Sequence, residues 1–186
     1  MQDGPFTAQI DLTGRVKAGS RSAFSQLVKP HVPRLIALAR RMLGSPEEAE
    51  EAVQAALAST WLARERLDPD KPVAAYLTTV TLNKCRDRIR RRKVAGLVGL
   101  GSTDQLHAIV SAAPDQEQVA VDRDLLSRTA KAIDRLPLKL REALVLVALD
   151  GRSQAEAAEL LGVSEKTIET RIYRARQKLR EKVDFS

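Results

Sequence analysis

The residues of this chain whose types suit chemistry on a partner cluster near its C-terminal end, in SEKTIETRIYRARQKLR from Ser164 to Arg180. Placed at about 100° per residue, Thr167, Arg171, Arg174 and Lys178 form one stripe, with Lys166 and Thr170 on its margin. Guanidinium, ammonium and hydroxyl groups are the ones that bond phosphate oxygens and base edges. Ile168, Ile172, Ala175 and Leu179 form a second, apolar stripe roughly 100° away. One face can therefore dock on protein while its neighbour meets a polyanion. A solvated basic helix with no partner is the plainer alternative, and the caps and turn around the segment weigh against it. Covalent chemistry has no comparable support. The sequence holds no Gly-rich phosphate loop, nucleophile–histidine pairing or metal-spaced carboxylate set, so neither an enzyme nor a cofactor is expected.

The elements that must position this face are written just before it. Ser153 followed by Glu156 is a capping box, in which each side chain bonds an orphan backbone N–H at a helix start. Ala157 and Ala158 are small enough for another helix to pack closely over them. Gly162, flanked by Leu160, Leu161 and Val163, supplies a tight turn, and Ser164 caps the next helix. This is the layout of a helix-turn-helix whose second helix lies on DNA. The N-terminal residues of such a helix enter the major groove and later ones meet the backbone. Lys166, Thr167, Thr170 and Arg171 are thus candidates for base edges, and Arg174 and Lys178 for phosphates.

Composition points to the same partner. The chain has 186 residues and a formal net charge of +7, with a pI near 9.9. The excess is concentrated in the C-terminal helix and in Lys84 to Lys93 (KCRDRIRRRK), and such clusters are electrostatic footprints for a polyanion. No apolar run approaches the ~20 residues of a membrane span. The start, MQDGPFTAQID, lacks the apolar core of a signal peptide. With one Cys and two His, neither an internal disulfide nor a zinc site is expected. A cytoplasmic protein is the simplest expectation.

Periodicity predicts an all-α chain in two parts. TGRVKAGSRSAFSQLV is a first helical segment loosened at Gly14 and Gly19. Val28, Val32, Leu35, Ala39 and Met42 mark a second, which stops at Gly44. Ser45-Pro46-Glu47-Glu48 opens a third with a cap, a proline at its first position and a capping-box acid, and it runs through Val53, Leu57 and Trp61. After a break at Asp68 to Pro72, a fourth begins near Val73 and ends in the arginine run. Val94 to Pro114 is rich in Gly, Ala and Ser with almost no charge, and reads as a flexible linker. Helix resumes from Asp115 to Leu136, and again from Leu138 to Leu149 after Pro137. The expected units are 1–93, a linker over 94–114, and 115–186.

In AFSQLVKPHVPRLIALARRMLGSPEEAEEAVQAAL and TLNKCRDRIRRRK, and above all in LPLKLREALVLVALDGRSQAEAAELLGVSEKTIETRIYRARQKLR, the chain resembles the bacterial sigma factors of the extracytoplasmic-function class in the sigma-70 family. Similar helix-turn-helix units occur in response-regulator output domains, and the N-terminal half breaks that tie. The resemblance implies a non-catalytic subunit with core RNA polymerase and promoter DNA as partners. The C-terminal unit would recognise the −35 element with Lys166, Thr167, Thr170, Arg171, Arg174 and Lys178. The N-terminal unit would melt and read the −10 element with Asn83, Lys84, Arg86, Arg88 and Arg90. Together with the loop before it, about Arg64 to Lys71, the fourth helix would hold the non-template strand and capture an unstacked base.

Single-strand binding also favours aromatic platforms, and here only Tyr76 lies on the fourth helix. Trp61 reads as core, and Cys85, in line with Leu82 and Ile89, as a buried inert thiol. The resemblance places the polymerase contact on Glu48, Glu51 and Gln54. The family's run after the cap resembles D-L-V-Q-E-V-F, and this chain has Ala55 and Leu57 where the second acid and the aromatic stand. Acids here also complement the helix dipole in any protein. An anti-sigma protein is a further partner the resemblance implies. The apolar faces around Leu35, Leu57, Leu144 and Val147 are either its docking sites or each unit's own core. A duplex-binding regulator that is no polymerase subunit, and a sigma-like decoy, are the other function classes that remain.

Overall fold

A computed structural model describes residues 4–97 and 128–182, all of them in helices and the turns between them, with no strand among them. Helix α1 spans Gly4–Lys17 and α2 spans Arg21–Val28. They are separate helices because Gly19 takes a left-handed turn at φ +91° and Ser20 then caps α2, its Oγ accepting from the Ala23 N–H. The second helical segment expected from Val28 starts four residues later. Lys29–His31 forms a single 3₁₀ turn around Pro30, and α3 runs Val32–Leu43. Gly44, at φ +72°, ends it as expected. Helix α4 (Pro46–Leu62) begins at Ser45, whose Oγ accepts from the Glu48 N–H at 3.2 Å. Glu48 does not complete a capping box, because its carboxylate is held by Arg92.

Helix α5, Val73–Leu97, runs past the arginine run and four residues into the stretch expected to be linker. The rest of that linker, and the restart at Asp115, lie outside the described residues. Helix α6 is described at 128–134. After Pro137, α7 (Leu138–Leu144) passes into a π-helical turn at Val145–Leu149, closed by the Asp150 N–H donating to the Val145 carbonyl at 2.8 Å. Helices α8 (Gln154–Leu161) and α9 (Glu165–Arg180) complete the fold.

Helices α3, α4 and α5 pack through Leu35, Leu38, Met42, Val53, Leu77, Leu82 and Cys85, all buried. Burial pushes the Cys85 thiol up to about 12, which leaves it protonated and inert. Leu35 and Leu144 are buried, and Leu57 and Val147 pack on the buried cluster, so these faces are core and not open docking sites. The same cluster continues through Val145, Leu146, Ala157 and Ile168. The two halves therefore share one apolar core where they meet.

Charged side chains secure that meeting. Arg141 donates to the Met42 carbonyl at 2.9 Å, satisfying one of the orphan acceptors at the end of α3. Arg34 grips the Asp150 carboxylate with two donors, at 3.2 and 3.1 Å, and Arg152 holds the same carboxylate at 3.0 Å. Arg152 also donates to Thr78 Oγ1 on α5. Burial raises the carboxyl of Asp134 above its ordinary value and lowers the guanidinium of Arg141, while their attraction at 3.3 Å opposes both shifts. Gly44 is needed twice here, since a Cβ would also lie 2.6 Å from Asp134 Oδ2.

Candidate nucleic-acid interface

The caps read from the sequence set the geometry of the C-terminal face. Ser153 Oγ accepts from the Glu156 N–H at 3.1 Å and the Glu156 carboxylate accepts from the Ser153 N–H at 2.8 Å, a complete capping box. That backbone bond holds the Glu156 carboxyl below its usual value. Gly162 closes α8 at φ +63°, and Ser164 Oγ accepts from the Thr167 N–H to open α9. Ile168, Ile172 and Ala175 are buried, which leaves the adjoining flank of α9, about 100° away, at the surface. Ile168 and Ile172 join the main core, whereas Ala175 and Leu179 pack with Leu136 and Leu144 of the α6–α7 region.

The outward side carries all six residues expected to meet the −35 element. Ser164, Lys166, Thr167, Thr170, Arg171 and Arg174 line a shallow depression of about 270 Å³, and Lys178 lies one turn beyond, exposed. Lys166 pairs with Glu169 at 2.8 Å. Among the described residues none of Arg171, Arg174 and Lys178 makes an ion pair; Arg174 and Lys178 are exposed and Arg171 is half-buried. Thr170 spends its hydroxyl proton on the Lys166 carbonyl at 2.8 Å, which leaves it to act as an acceptor. Tyr173, 63 % exposed and bonded by Gln177 at 3.0 Å, stands on the same helix; its absence from the apolar stripe was the signal for it.

The second cationic cluster is arranged differently. At about 100° per residue, Asn83, Arg86 and Arg90 share one flank of α5 and Lys84 and Arg88 the other, with the buried face between. Arg86 Nε donates to Glu142 of α7, and its Nη1 donates to Asn83 at 2.7 Å. Arg88 donates to Glu51 at 2.8 Å, and Arg92 donates both to Glu48 and to the Leu43 carbonyl. The five candidates are thus not one open surface, and two of them are tied to acids on other helices. On α4, Glu51 and Gln54 are exposed, while Glu48 is half-buried beneath Arg92.

The model of sigma-70 region 2 matches residues 27–94, and that of sigma-70 region 4 matches 126–179. The RNA polymerase sigma factor CnrH of Cupriavidus metallidurans is 38 % identical over 185 residues, covering 97 % of this chain and 96 % of that protein. The chain belongs to the extracytoplasmic-function sigma factors. It directs RNA polymerase in promoter recognition at transcription initiation. The sigma factor SigW of Bacillus subtilis is 31 % identical over 177 residues, 91 % of this chain and 93 % of that one. Among solved structures, CnrH in complex with the cytosolic domain of CnrY matches with a TM-score of 0.64 at 30 % identity, over 94 % of this chain and 96 % of that one. The sigma factor RpoE of Bartonella quintana, in complex with the anti-sigma factor NepR, matches with a TM-score of 0.65 at 26 % identity, over 85 % and 94 %.

One acid of this sigma factor was not anticipated from its sequence. Glu142, with a side chain 5 % exposed, is the acid that occupies Arg86. Trp61 is packed edge-on to Phe24 at 5.3 Å with the Arg64 guanidinium 5.0 Å over its ring, and Tyr76 packs on the core, so neither is an open stacking platform. Among the described residues no helix is long and apolar enough to cross a membrane, and no group of His, Cys, Asp and Glu is placed to hold a metal ion.

Proposed function

We propose that this sigma factor divides promoter reading between its halves as the resemblance implies. Residues 115–186 read the −35 element through the outward face of α9, with Lys166, Thr167, Thr170 and Arg171 toward base edges and Arg174 and Lys178 toward phosphates. Residues 1–93, with α5 continuing to Leu97, read the −10 element through Asn83, Lys84, Arg86, Arg88 and Arg90 and the 64–71 loop. Core polymerase meets α4 around Glu48, Glu51 and Gln54. The observation that carries the reading is the uncommitted, outward set of Arg171, Arg174 and Lys178 on a helix capped at its start. Where Arg86 and Arg88 are concerned, binding a −10 strand exchanges Glu142 and Glu51 for phosphate oxygens.

The protein acts in the cytoplasm, as a non-catalytic subunit, and an anti-sigma protein is its regulator. Support for the regulator comes from RpoE, solved with the anti-sigma factor NepR, and from CnrH, solved with the cytosolic domain of a second protein, CnrY. Run-off transcription with core polymerase tests the whole reading. Promoter-specific transcript is expected only when the chain is added. Glu51→Ala with Gln54→Ala is expected to lower core association and to spare duplex binding by α9. Duplex binding without any gain of transcript would favour a regulator that is not a polymerase subunit.

A further inference from the structure

Helix α5 begins without a cap of its own. The residue before Val73 is Pro72, which has neither the side-chain acceptor of a normal cap nor an N–H. The first orphan N–H of the helix is met from 64 residues away. Val73 N–H donates to Gln9 Oε1 at 3.3 Å, and Gln9 Nε2 donates to the Lys71 carbonyl at 3.0 Å. A carboxamide is suited to this bridge because it offers an acceptor and a donor side by side. Eight residues along the same helix, Lys17 Nζ donates to the Leu67 carbonyl at 3.3 Å. Eight residues of α1 rise by about 12 Å, so Gln9 and Lys17 hold the two ends of the 67–73 loop.

The strut itself is fixed. Thr13 lies between the two contacts on the same face, 2 % exposed, with its hydroxyl donating to the Gln9 carbonyl at 2.8 Å. Val16 is fully buried. The loop adds its own closure: Asp68 Oδ1 accepts from the Asp70 N–H at 3.1 Å and the Asp68 carbonyl accepts from the Lys71 N–H at 3.2 Å. Leu67 and Val73 are buried at either end, while Asp68, Asp70 and Lys71 are exposed. Helix α1 precedes the 27–94 stretch matched by the region 2 model.

We infer that Gln9 and Lys17 are positioning residues for −10 reading, holding the 67–73 loop and the first turn of α5 in the shape that meets the unstacked strand. This rests on the assignment of the 64–71 loop to the −10 element made above. Neither residue need touch DNA. Each acts through the loop.

The test uses holoenzyme on two promoter libraries, one randomised over the −10 element and one over the −35 element, read by transcript sequencing. Gln9→Ala and Lys17→Met are each expected to reduce the preference for the favoured −10 bases by roughly 2- to 10-fold, about the worth of one net hydrogen bond. The −35 preference and the affinity for core polymerase should stay as in the parent chain. Lys17→Arg, which keeps the donor, should restore −10 preference. Unchanged −10 preference in both variants, or an equal loss at −10 and −35, would overturn the inference. Asp70→Ala with Lys71→Ala is the control for the loop. If that variant also keeps full −10 preference, the assignment of the loop has failed and the inference falls with it. If the loop variant loses preference while Gln9→Ala and Lys17→Met keep it, only the strut is wrong.

Discussion

Helices α9 and α5 both carry arginines to the outside of the molecule, and they hold them in opposite ways. On α9, Arg171, Arg174 and Lys178 have no acidic partner among the described residues, and the first two line an open depression. On α5, Arg86 is tied to Glu142, Arg88 to Glu51 and Arg92 to Glu48. Charge alone made the two segments look alike. What separates them is neighbours: α9 packs by one narrow apolar stripe at the edge of the fold, whereas α5 is enclosed by α3, α4 and the α7–α8 region. In the free chain Arg171, Arg174 and Lys178 of the proposed −35 face are unpaired among the described residues, and part of the proposed −10 face serves as internal fastening.

The largest effect should appear where the fastening is buried. Arg86→Ala leaves the Glu142 side chain, 5 % exposed, without its partner. An uncompensated buried charge of this kind costs about 2–4 kcal/mol, at the lower end because Arg86 is itself a quarter exposed. Arg88→Ala should cost no more than ~1 kcal/mol, since Glu51 is 63 % exposed and water replaces the pair. Urea unfolding of the full chain separates the two. Equal losses would remove the distinction between the buried and the solvated fastening.

On α9 the effects should be on binding and not on folding. Arg171→Ala should weaken binding to a −35 duplex by ~1–3 kcal/mol, and unequally across substituted sequences. Lys178→Ala should weaken binding to all sequences alike and reduce the salt slope by about 1. Identical behaviour of the two across a set of substituted −35 duplexes would mean that the base-edge and phosphate ends of the face are wrongly divided.

The local half of this comparison was legible in the sequence and the long-range half was not. Capping acts within three residues, so Ser45, Ser153, Glu156 and Ser164 announce their helices, and Gly44 and Gly162 end theirs because both sit in the left-handed region. The outward face of α9 follows from the same periodicity. Nothing local tells Arg86 that Glu142 lies 56 residues away, or Arg34 that Asp150 lies 116 away. The π turn at Val145–Leu149 read as plain helix, because an i+5 bond leaves the apolar pattern nearly unchanged. The extension of α5 to Leu97 was missed because Gly96 and the Gly-rich run after it argue for a linker, whereas Val94, Ala95 and Leu97 are compatible with helix.

The smallest effect concerns the cap of α8. Glu156 is held below its ordinary pKa by its bond to the Ser153 N–H, so the charged form is favoured in the folded state. Its contribution is present above the ordinary carboxylate range and is lost as pH falls through the lowered value. Glu156→Gln keeps a capping acceptor without the titration. The α8–α9 unit of that variant should lose less stability on acidification than the parent, as followed by helical signal. An identical acid profile would show that the cap carries no charge-dependent share.

Binding of the free chain to a fluorescent single strand carrying the −10 element, compared between the parent and Glu142→Gln, tests the central contrast most directly. If Glu142 occupies Arg86 in the free chain, removing its charge should raise strand affinity by roughly 3- to 10-fold, about 1 kcal/mol, and leave affinity for a −35 duplex as it was. Unchanged strand affinity in Glu142→Gln, or an equal rise for strand and duplex, would contradict it.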